Sequence, residues 1–298
     1  NAPFTVYHDT VLYRTRGAEE AARAGAVASL VRSITPVSLH TPHTGNMHYA
    51  DSFPKIPHAA ITVEDAQMLQ RMQDRGEKIV LRLKMDAKTL PDVKSRNVVG
   101  EIAGREKPDE VILISGHIDS WDVGQGAMDD GGGCVAAWEA VRLMRKLGLR
   151  PRRTIRVVMW TNEENGIAGG KAYREAHRNE LSKHVLAIES DEGVFKPMAF
   201  AFSGSVAATE KVKDIATLLQ KITPIKITAG AGAADISQLE TDGVPLMDLI
   251  VDETKYFWYH HTRADTIDKI NAGELNQCVA ALAVMCYTVA DSPDRLPR

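Results

Sequence analysis

The stretch Ser115-Gly-His-Ile-Asp-Ser-Trp-Asp-Val-Gly-Gln-Gly-Ala-Met-Asp-Asp-Gly-Gly-Gly133 is the part of this chain that decides its fold. It follows an apolar run, Val111–Ile114, which has the length and composition of a buried strand. It leads into a helical pattern of apolar residues that extends from Gly133 to Leu147. A strand, a glycine-rich turn and a helix in this order indicate an α/β arrangement.

The same alternation continues on both sides of this stretch. Several of the strands are apolar without alternation, which is typical of strands covered by helices on both faces. The sequence therefore predicts an α/β fold over residues 95–298, with a mixed, largely parallel central sheet flanked by helices. The predicted strands are Val98–Ile102, Glu110–Ser115, Thr154–Trp160, His184–Ile188, Ala199–Phe202 and Val244–Ile250. The predicted helices are Gly133–Leu147, Gly169–His177, Thr209–Leu219 and a last helix with an apolar stripe from Leu275 to Val289.

Residues 1–94 have a different pattern and are predicted to form a separate domain. A helix is predicted over Ala18–Arg32, and a loop rich in Pro, His and Thr follows from Pro36 to Pro57. Thr62 is followed three residues later by an acidic residue, which indicates the start of a second helix. Lys78–Met85 is predicted to be a strand.

The composition is that of a globular protein. Of 298 residues, 44% are hydrophobic and 25% are charged, and the formal net charge of -3 argues against a nucleic-acid binder. No apolar run approaches the roughly 20 residues that span a bilayer. The chain begins with Asn-Ala-Pro-Phe, which contains neither an initiator Met nor a signal peptide, so we expect a start that is processed or truncated. We therefore expect a targeting signal outside this chain and a secreted, lysosomal or periplasmic location.

Acidic and imidazole side chains follow the predicted strands where they end. Because ligands bind at the carboxyl edge of open α/β sheets, we expect these side chains to lie together. Charges gathered so closely repel each other unless a cation neutralises them. Nitrogen and oxygen ligands without thiolate suit two Zn²⁺ ions about 3.5–4 Å apart, although Co²⁺ or Mn²⁺ would accept the same donors. The candidates are His117, Asp119, Asp129, Glu163, Glu164, Asp191 and His261.

Four of these residues indicate particular roles. Asp129 lies at the start of a helix, where a carboxylate is favoured and could bridge two metals. Asp119, two residues after His117, would accept the second imidazole proton and orient the ring. In the pair Glu163-Glu164, one carboxylate can bind metal while the other takes a proton from water, whose pKa zinc lowers to about 7. The implied reaction is metal-assisted hydrolysis of an amide.

The motifs around these residues resemble those of the M28 zinc peptidases. The resemblance includes the 115–133 stretch, Trp160-Thr-Asn-Glu-Glu164, Glu189-Ser-Asp191 and Tyr259-His-His-Thr-Arg-Ala-Asp-Thr266. It extends upstream to Tyr13-Arg-Thr-Arg-Gly-Ala18, the segment Ser38–Met47, Lys55-Ile-Pro57 and Ile61-Thr-Val-Glu-Asp65. The likeness therefore covers essentially the whole chain.

The resemblance implies a site and an activity. His117 and Asp191 would bind one zinc, Glu164 and His261 the other, and Asp129 would bridge them. Glu163 would be the general base, Asp119 would support His117, and the peptide between Asp129 and Asp130 would be cis. Residues 1–94 would be part of a protease-associated insert, and residues 95–298 the catalytic domain. Within the M28 zinc peptidases, the motifs are most similar to a subfamily that hydrolyses dipeptides with free termini and forms homodimers. The resemblance therefore implies a dipeptidase and a homodimer.

Several alternatives remain open at this stage. His260 could be the metal ligand in place of its neighbour His261. Arg263 is a candidate for a contact with a substrate carboxylate, and Asp235 is a candidate for the pocket wall. We interpret His40, His43 and His48 as parts of a surface loop rather than a second metal site. The aromatic run Tyr256–Tyr259 fits core packing, a pocket wall or a dimer contact. Alternative functions are an aminopeptidase acting on longer peptides, a single-zinc glutaminyl cyclase-like acyltransferase and a non-catalytic binding protein of the transferrin-receptor type.

Overall fold

The chain folds as two compact units. The computed structural model describes residues 3–35, 37, 39–232 and 234–298. We call Asn1–Lys94, Trp121–Gly124 and Phe257–Asp265 the N-terminal unit, and Ser95–Ser120, Gln125–Tyr256 and Thr266–Arg298 the sheet unit. Pro36, Ser38 and Ala233, which fall within segments discussed above, lie outside the described residues.

The N-terminal unit contains short helices and a small parallel sheet. In chain order its elements are α1 (Pro3–Thr15), α2 (Gly17–Arg23), β1 (Ser29–Arg32), β2 (His58–Ile61) and α3 (Val63–Asp74). β1 pairs with β2 in parallel, so that Ser29 lies opposite His58. The hydroxyl of Thr62 accepts a hydrogen bond from the backbone N–H of Asp65 at 2.9 Å, which confirms the predicted helix start.

The sheet unit is built on seven strands. They are β3 (Val98–Ile102), β4 (Lys107–His117), β5 (Arg153–Trp160), β6 (His184–Glu189), β7 (Pro197–Ser203), β8 (Lys226–Ala229) and β9 (Leu246–Val251). They lie in the order β3-β5-β4-β6-β9-β7-β8. The four central strands, β5, β4, β6 and β9, are mutually parallel, whereas β3 and β7 run antiparallel to their neighbours β5 and β9.

Helices cover both faces of this sheet. The helices of the sheet unit are α4 (Gly132–Lys146), α5 (Ala168–Ala176), α6 (Val206–Ala216) and α8 (Ala272–Asp291). Most of the one-turn helix α7 (Tyr256–Tyr259) belongs to the N-terminal unit. On one face α4 and α8 pack against each other and against β4. On the other face, Tyr173 of α5 joins a buried cluster with Leu113 and Val158 of the sheet. Every residue of β4 from Val111 to His117 is buried, which is why its sequence shows no alternation.

The carboxyl ends of the central strands lie at one edge. His117, the last residue of β4, lies opposite Trp160, the last residue of β5. Ser115 of β4 lies opposite Glu189, the last residue of β6, which in turn lies opposite Asp248 of β9. The loops that carry the predicted metal ligands of this unit therefore all leave the sheet at the same edge.

Two predictions of secondary structure were wrong, and the strand β8 was not predicted. The predicted helix Ala18–Arg32 is a short helix, α2, and a strand, β1, because Gly25 takes a φ of 84° that ends the helix. In the described part of the chain, the segment Lys78–Met85 forms no strand, because no neighbouring strand pairs with it. Val80, in this segment, is 78% exposed. The short, largely exposed strand β8 was missed because four residues carry little periodicity.

Among the described residues, no helix combines the length and the apolar character that crossing a bilayer requires.

Candidate metal centre

The end of β4 places the ring of His117 inside the protein. The residue is only 1% exposed, and its backbone N–H donates to Oδ2 of Asp130 at 3.0 Å. The preceding residue must be glycine, because a Cβ on Gly116 would lie 2.4 Å from that same carboxylate oxygen. The absence of a side chain at Gly116 thus lets the turn after the strand fold back over the strand end.

Two carboxylates meet the ring of His117 at one nitrogen. Nε2 lies 3.1 Å from Oδ1 of Asp129 and 3.0 Å from Oδ1 of Asp191. The other nitrogen, Nδ1, donates to the backbone carbonyl of Asp119 at 2.9 Å, since a carbonyl oxygen can only accept. A neutral ring would therefore direct its Nε2 lone pair at two anionic oxygens, which is favourable only if a cation or a proton lies between them.

Glu164 completes this group. Ligand atoms of His117, Asp129 and Glu164 all lie within 4.8 Å of one another, and so do ligand atoms of His117, Asp130 and Asp191. The peptide between Asp129 and Asp130 is cis, as the resemblance implied. Four of the five predicted ligands therefore lie together in the sheet unit, three of them buried and Asp191 partly exposed.

Asp119 supports the site through different atoms from those predicted. Its carboxylate lies 3.9 Å from Nδ1 of His117, beyond hydrogen-bonding distance, and its backbone carbonyl takes that role instead. The carboxylate accepts the backbone N–H groups of Glu163 at 3.0 Å and Glu164 at 3.2 Å. Asp119 thus connects the turn that carries His117 with the turn that carries the glutamate pair.

Asp130 is a member of the centre that the sequence analysis did not select. Its carboxylate is fully buried and accepts the backbone N–H groups of His117 and of Gly133, the latter at 3.1 Å. It thereby ties the first turn of α4 to the end of β4. Its position beside Asp129 in a glycine-rich turn was the only signal in the sequence, and that signal did not separate the two aspartates.

The charges of the centre oppose one another. Burial raises the pKa of Asp130 well above its ordinary value, and the charges of Asp191 and Asp129 raise it further. Burial alone would lower the pKa of His117, but Asp191 and hydrogen bonds to Asp129 and Asp191 raise it well above its ordinary value. Burial, followed by the charge of Asp191, raises the pKa of Glu163 to about 8. The protein alone holds these carboxylates at a high cost, which bound cations would remove.

The donor set fits borderline divalent cations. It consists of one imidazole nitrogen and carboxylate oxygens, which are the ligands that zinc accepts at catalytic sites. The one thiol close by, Cys134, donates its S–H to the carbonyl of His117, and burial raises its pKa, so it stays protonated. The three cysteines, Cys134, Cys278 and Cys286, are free and buried.

The fifth predicted ligand, His261, belongs to the N-terminal unit. Within that unit its ring stacks on that of His260, with centroids 3.7 Å apart, and on that of His43 at 5.1 Å. Its place in a metal centre stays a prediction. The interpretation of His43 as a surface residue was wrong: it is 1% exposed because its loop folds against the segment that carries His260. His40 and His48 are exposed.

The remaining candidates have clear structural surroundings. Asp235 is fully buried, and its Oδ1 accepts the backbone N–H of Gly170 in the first turn of α5 at 3.1 Å. Arg263 is exposed and donates to the carbonyl of His40 at 3.2 Å. Tyr256 and Phe257 are buried, which fits core packing. Contacts of Asp235 or Arg263 with a substrate stay predictions.

The chain belongs to peptidase family M28. The family model described as "Peptidase family M28" matches residues 97–286. Over its full length the chain is 48% identical to "Carboxypeptidase Q" of Mus musculus, of which it covers 63%. This is the subfamily that the motifs resembled. The chain thus spans slightly less than two thirds of that relative.

Solved structures agree with the fold. A crystal structure of a peptidase M28 precursor from Shewanella amazonensis superposes with a TM-score of 0.95 and 37% identity, over 98% of this chain and 66% of that one. BSAP, a zinc aminopeptidase from Bacillus subtilis, superposes with a TM-score of 0.68 and 20% identity, over 94% of this chain and 68% of that one. The predicted α/β sheet with flanking helices and the membership of family M28 are confirmed. The assignment of residues 1–94 to a protease-associated insert stays a prediction.

Proposed function

We propose that this chain provides the catalytic site of a zinc-dependent exopeptidase that hydrolyses small peptides. The observation that carries the proposal is the meeting of Nε2 of His117 with Oδ1 of Asp129 and Oδ1 of Asp191, at 3.1 and 3.0 Å, in a buried site. Gathering acidic groups in a buried site costs free energy of folding. A metal-dependent hydrolase needs these groups as ligands, whereas a protein that only binds a partner does not.

The residues proposed to hold two zinc ions are those that the sequence predicted. His117 and Asp191 would bind one ion, Glu164 and His261 the other, and Asp129 would bridge them. When bound, the ions would polarise the scissile carbonyl and lower the pKa of water to about 7.

Glu163 is the proposed general base. Its backbone N–H is held by Asp119, so the turn is oriented independently of the Glu163 side chain. Burial raises the pKa of Glu163 to about 8 in the metal-free protein. Bound cations would favour its ionised form, which could accept a proton from the attacking water and return it to the leaving amine. Its neighbour Glu164 is more deeply buried, at 7% exposure, which suits a ligand rather than a proton carrier.

We further propose that the substrates are dipeptides with free termini. Two observations support this proposal: a relative that is 48% identical is named carboxypeptidase Q, and the chain contains the motifs of that subfamily. Comparing a dipeptide with its C-terminally amidated form tests this directly. Equal kcat/KM for both would indicate an aminopeptidase that accepts longer peptides. By the same resemblance we propose that the protein is a homodimer and that it is located outside the cytoplasm. Sedimentation of the purified protein would test the homodimer.

Metal analysis combined with a dipeptide assay on Glu163→Gln tests the site. The substitution is isosteric and keeps the backbone contact to Asp119, so we expect two zinc ions per chain and a loss of kcat of about 10²–10⁴-fold. Glu175→Gln is the matched control, since that side chain is exposed on α5, and it should keep full activity. Full activity in Glu163→Gln would overturn the assigned base. One ion per chain in the unmutated protein would favour the cyclase-like alternative, and none would favour the binding protein.

A further inference from the structure

His261 has a backbone conformation that side chains rarely adopt. Its φ is 55°, in the left-handed region, which costs free energy for a residue other than glycine. Thr44 holds it there: the Thr44 N–H donates to the carbonyl of His261 at 2.9 Å, and the Thr44 hydroxyl donates to the same oxygen at 3.1 Å. The ring is held as well, since Nδ1 of His261 lies 3.2 Å from the carbonyl oxygen of Thr44.

Arg14 organises the loop that makes these contacts. The side chain is only 6% exposed, and its guanidinium donates to the carbonyl of Thr44 at 2.7 Å and to that of Asn46 at 3.3 Å. Gly45, between them, has a φ of 145°, and a Cβ there would lie 2.2 Å from Cζ of Arg14. The loop is thus wrapped around the guanidinium, and its glycine is required both by conformation and by space.

From these contacts we infer that Arg14 and Thr44 are positioning residues that set the tautomer and the ring orientation of His261. Nδ1 of His261 lies closer to the carbonyl of Thr44, at 3.2 Å, than to Nη1 of Arg14, at 3.5 Å. Because a carbonyl can only accept, the shorter contact places the hydrogen on Nδ1, and Nε2 then carries the lone pair. That is the form in which an imidazole ring ligates a metal, and a backbone carbonyl on the other nitrogen is a common partner of such rings. The inference rests on the proposed function, in which His261 is a zinc ligand.

The same histidines do not suit an ion of their own. His43, His260 and His261 bring ring nitrogens within 4.8 Å of one another. However, Nη1 of Arg14 lies 3.3 Å from Nδ1 of His43 and 3.5 Å from Nδ1 of His261, so a cation already occupies this position. Nε2 of His43 and Nδ1 of His260, 2.9 Å apart, are moreover used in a hydrogen bond with each other. The cluster orients His261 and does not form a third metal site.

Stepwise cobalt binding to the metal-free protein tests the inference. Co²⁺ is added to the unmutated protein and to the Arg14→Met and Thr44→Val variants, and its visible absorption and the bound metal are followed. In both variants we expect one of the two affinities to fall about 10–100-fold, the range found when groups that orient metal ligands are removed. The other affinity should stay unchanged. Thr44→Ser, which keeps the hydroxyl, should restore the unmutated behaviour.

A control separates positioning from general destabilisation. Val31→Ala shortens a side chain that is 8% exposed in the same unit, and it should lower Tm without changing either cobalt affinity. Unchanged affinities in both test variants would overturn the inference and leave the proposed function standing. Fewer than two ions in the unmutated protein would overturn both. ¹⁵N spectra of the metal-free protein, with His261 assigned from His261→Gln, should show hydrogen on Nδ1, and hydrogen on Nε2 alone would overturn the inference.

Discussion

Removing the metal ions should make the stability of this protein depend on pH through Glu163. Burial raises the pKa of this carboxyl group from 4.5 to about 8 in the folded, metal-free protein. The folded state therefore keeps a proton that the unfolded chain releases above pH 4.5, and stability falls as the pH rises from the unfolded towards the folded pKa. With these two pKa values, the loss between about pH 5 and about pH 7.5 is about 3 kcal/mol.

Urea denaturation in the presence of a chelator, followed by tryptophan fluorescence, measures this loss. Glu163→Gln cannot titrate, so between these pH values its free energy of unfolding should fall by about 3 kcal/mol less than that of the unmutated protein. Glu175→Gln, an exposed change on α5, should behave like the unmutated protein. Adding Zn²⁺ should stabilise the unmutated protein more at the higher pH, because cations replace the retained proton. Parallel curves for Glu163→Gln and the unmutated protein would refute the reasoning.

Three further changes test other parts of the sheet unit. Asp119→Asn places an amide N–H₂ against one of two backbone donors, so we expect a loss of about 1–3 kcal/mol in denaturation and a lower kcat/KM for dipeptides. Gly133→Ala would bring a Cβ to 2.0 Å from the carbonyl of Ser190, so it should cost about 3 kcal/mol or more, whereas Gly100→Ala, whose nearest contact is 3.3 Å, should cost less. Burial lowers the pKa of His184 from 6.5 to about 4, so stability should fall as the pH drops through this window, by about 3 kcal/mol in urea titrations, and His184→Asn should lack that fall.

The sheet and its edge could be predicted because their signals are local. β3 was predicted with the bounds that the structure has, and β4, β5 and β6 to within a few residues, since buried strands are continuous apolar runs. Polar residues directly after such runs had to lie at the carboxyl edge. The exposed segment Lys78–Met85 shows the limit of this reasoning, because an alternating pattern does not show whether a neighbouring strand is present.

The types of donor at the candidate site were also readable from the residues. A histidine, several carboxylates and no thiolate at strand ends indicate a metal whatever their detailed arrangement. What needed the folded chain was the pairing of individual atoms. That the carbonyl of Asp119 holds His117 while its carboxylate holds the glutamate turn depends on two loops separated by more than forty residues along the chain.

His43 and Asp130 make the same point through burial. His43 lies in a stretch of Pro, Thr and Gly whose composition is that of a surface loop, yet it is buried against His260, more than two hundred residues away. Asp129 and Asp130 are identical neighbours in the sequence, but the carboxylate of Asp129 meets Nε2 of His117, whereas that of Asp130 accepts backbone N–H groups. Periodicity and composition carry the elements and the donor types because these are properties of neighbouring residues. Tautomers, hydrogen-bond partners and pKa shifts arise only when distant segments exclude water together, so the tertiary structure alone decides them.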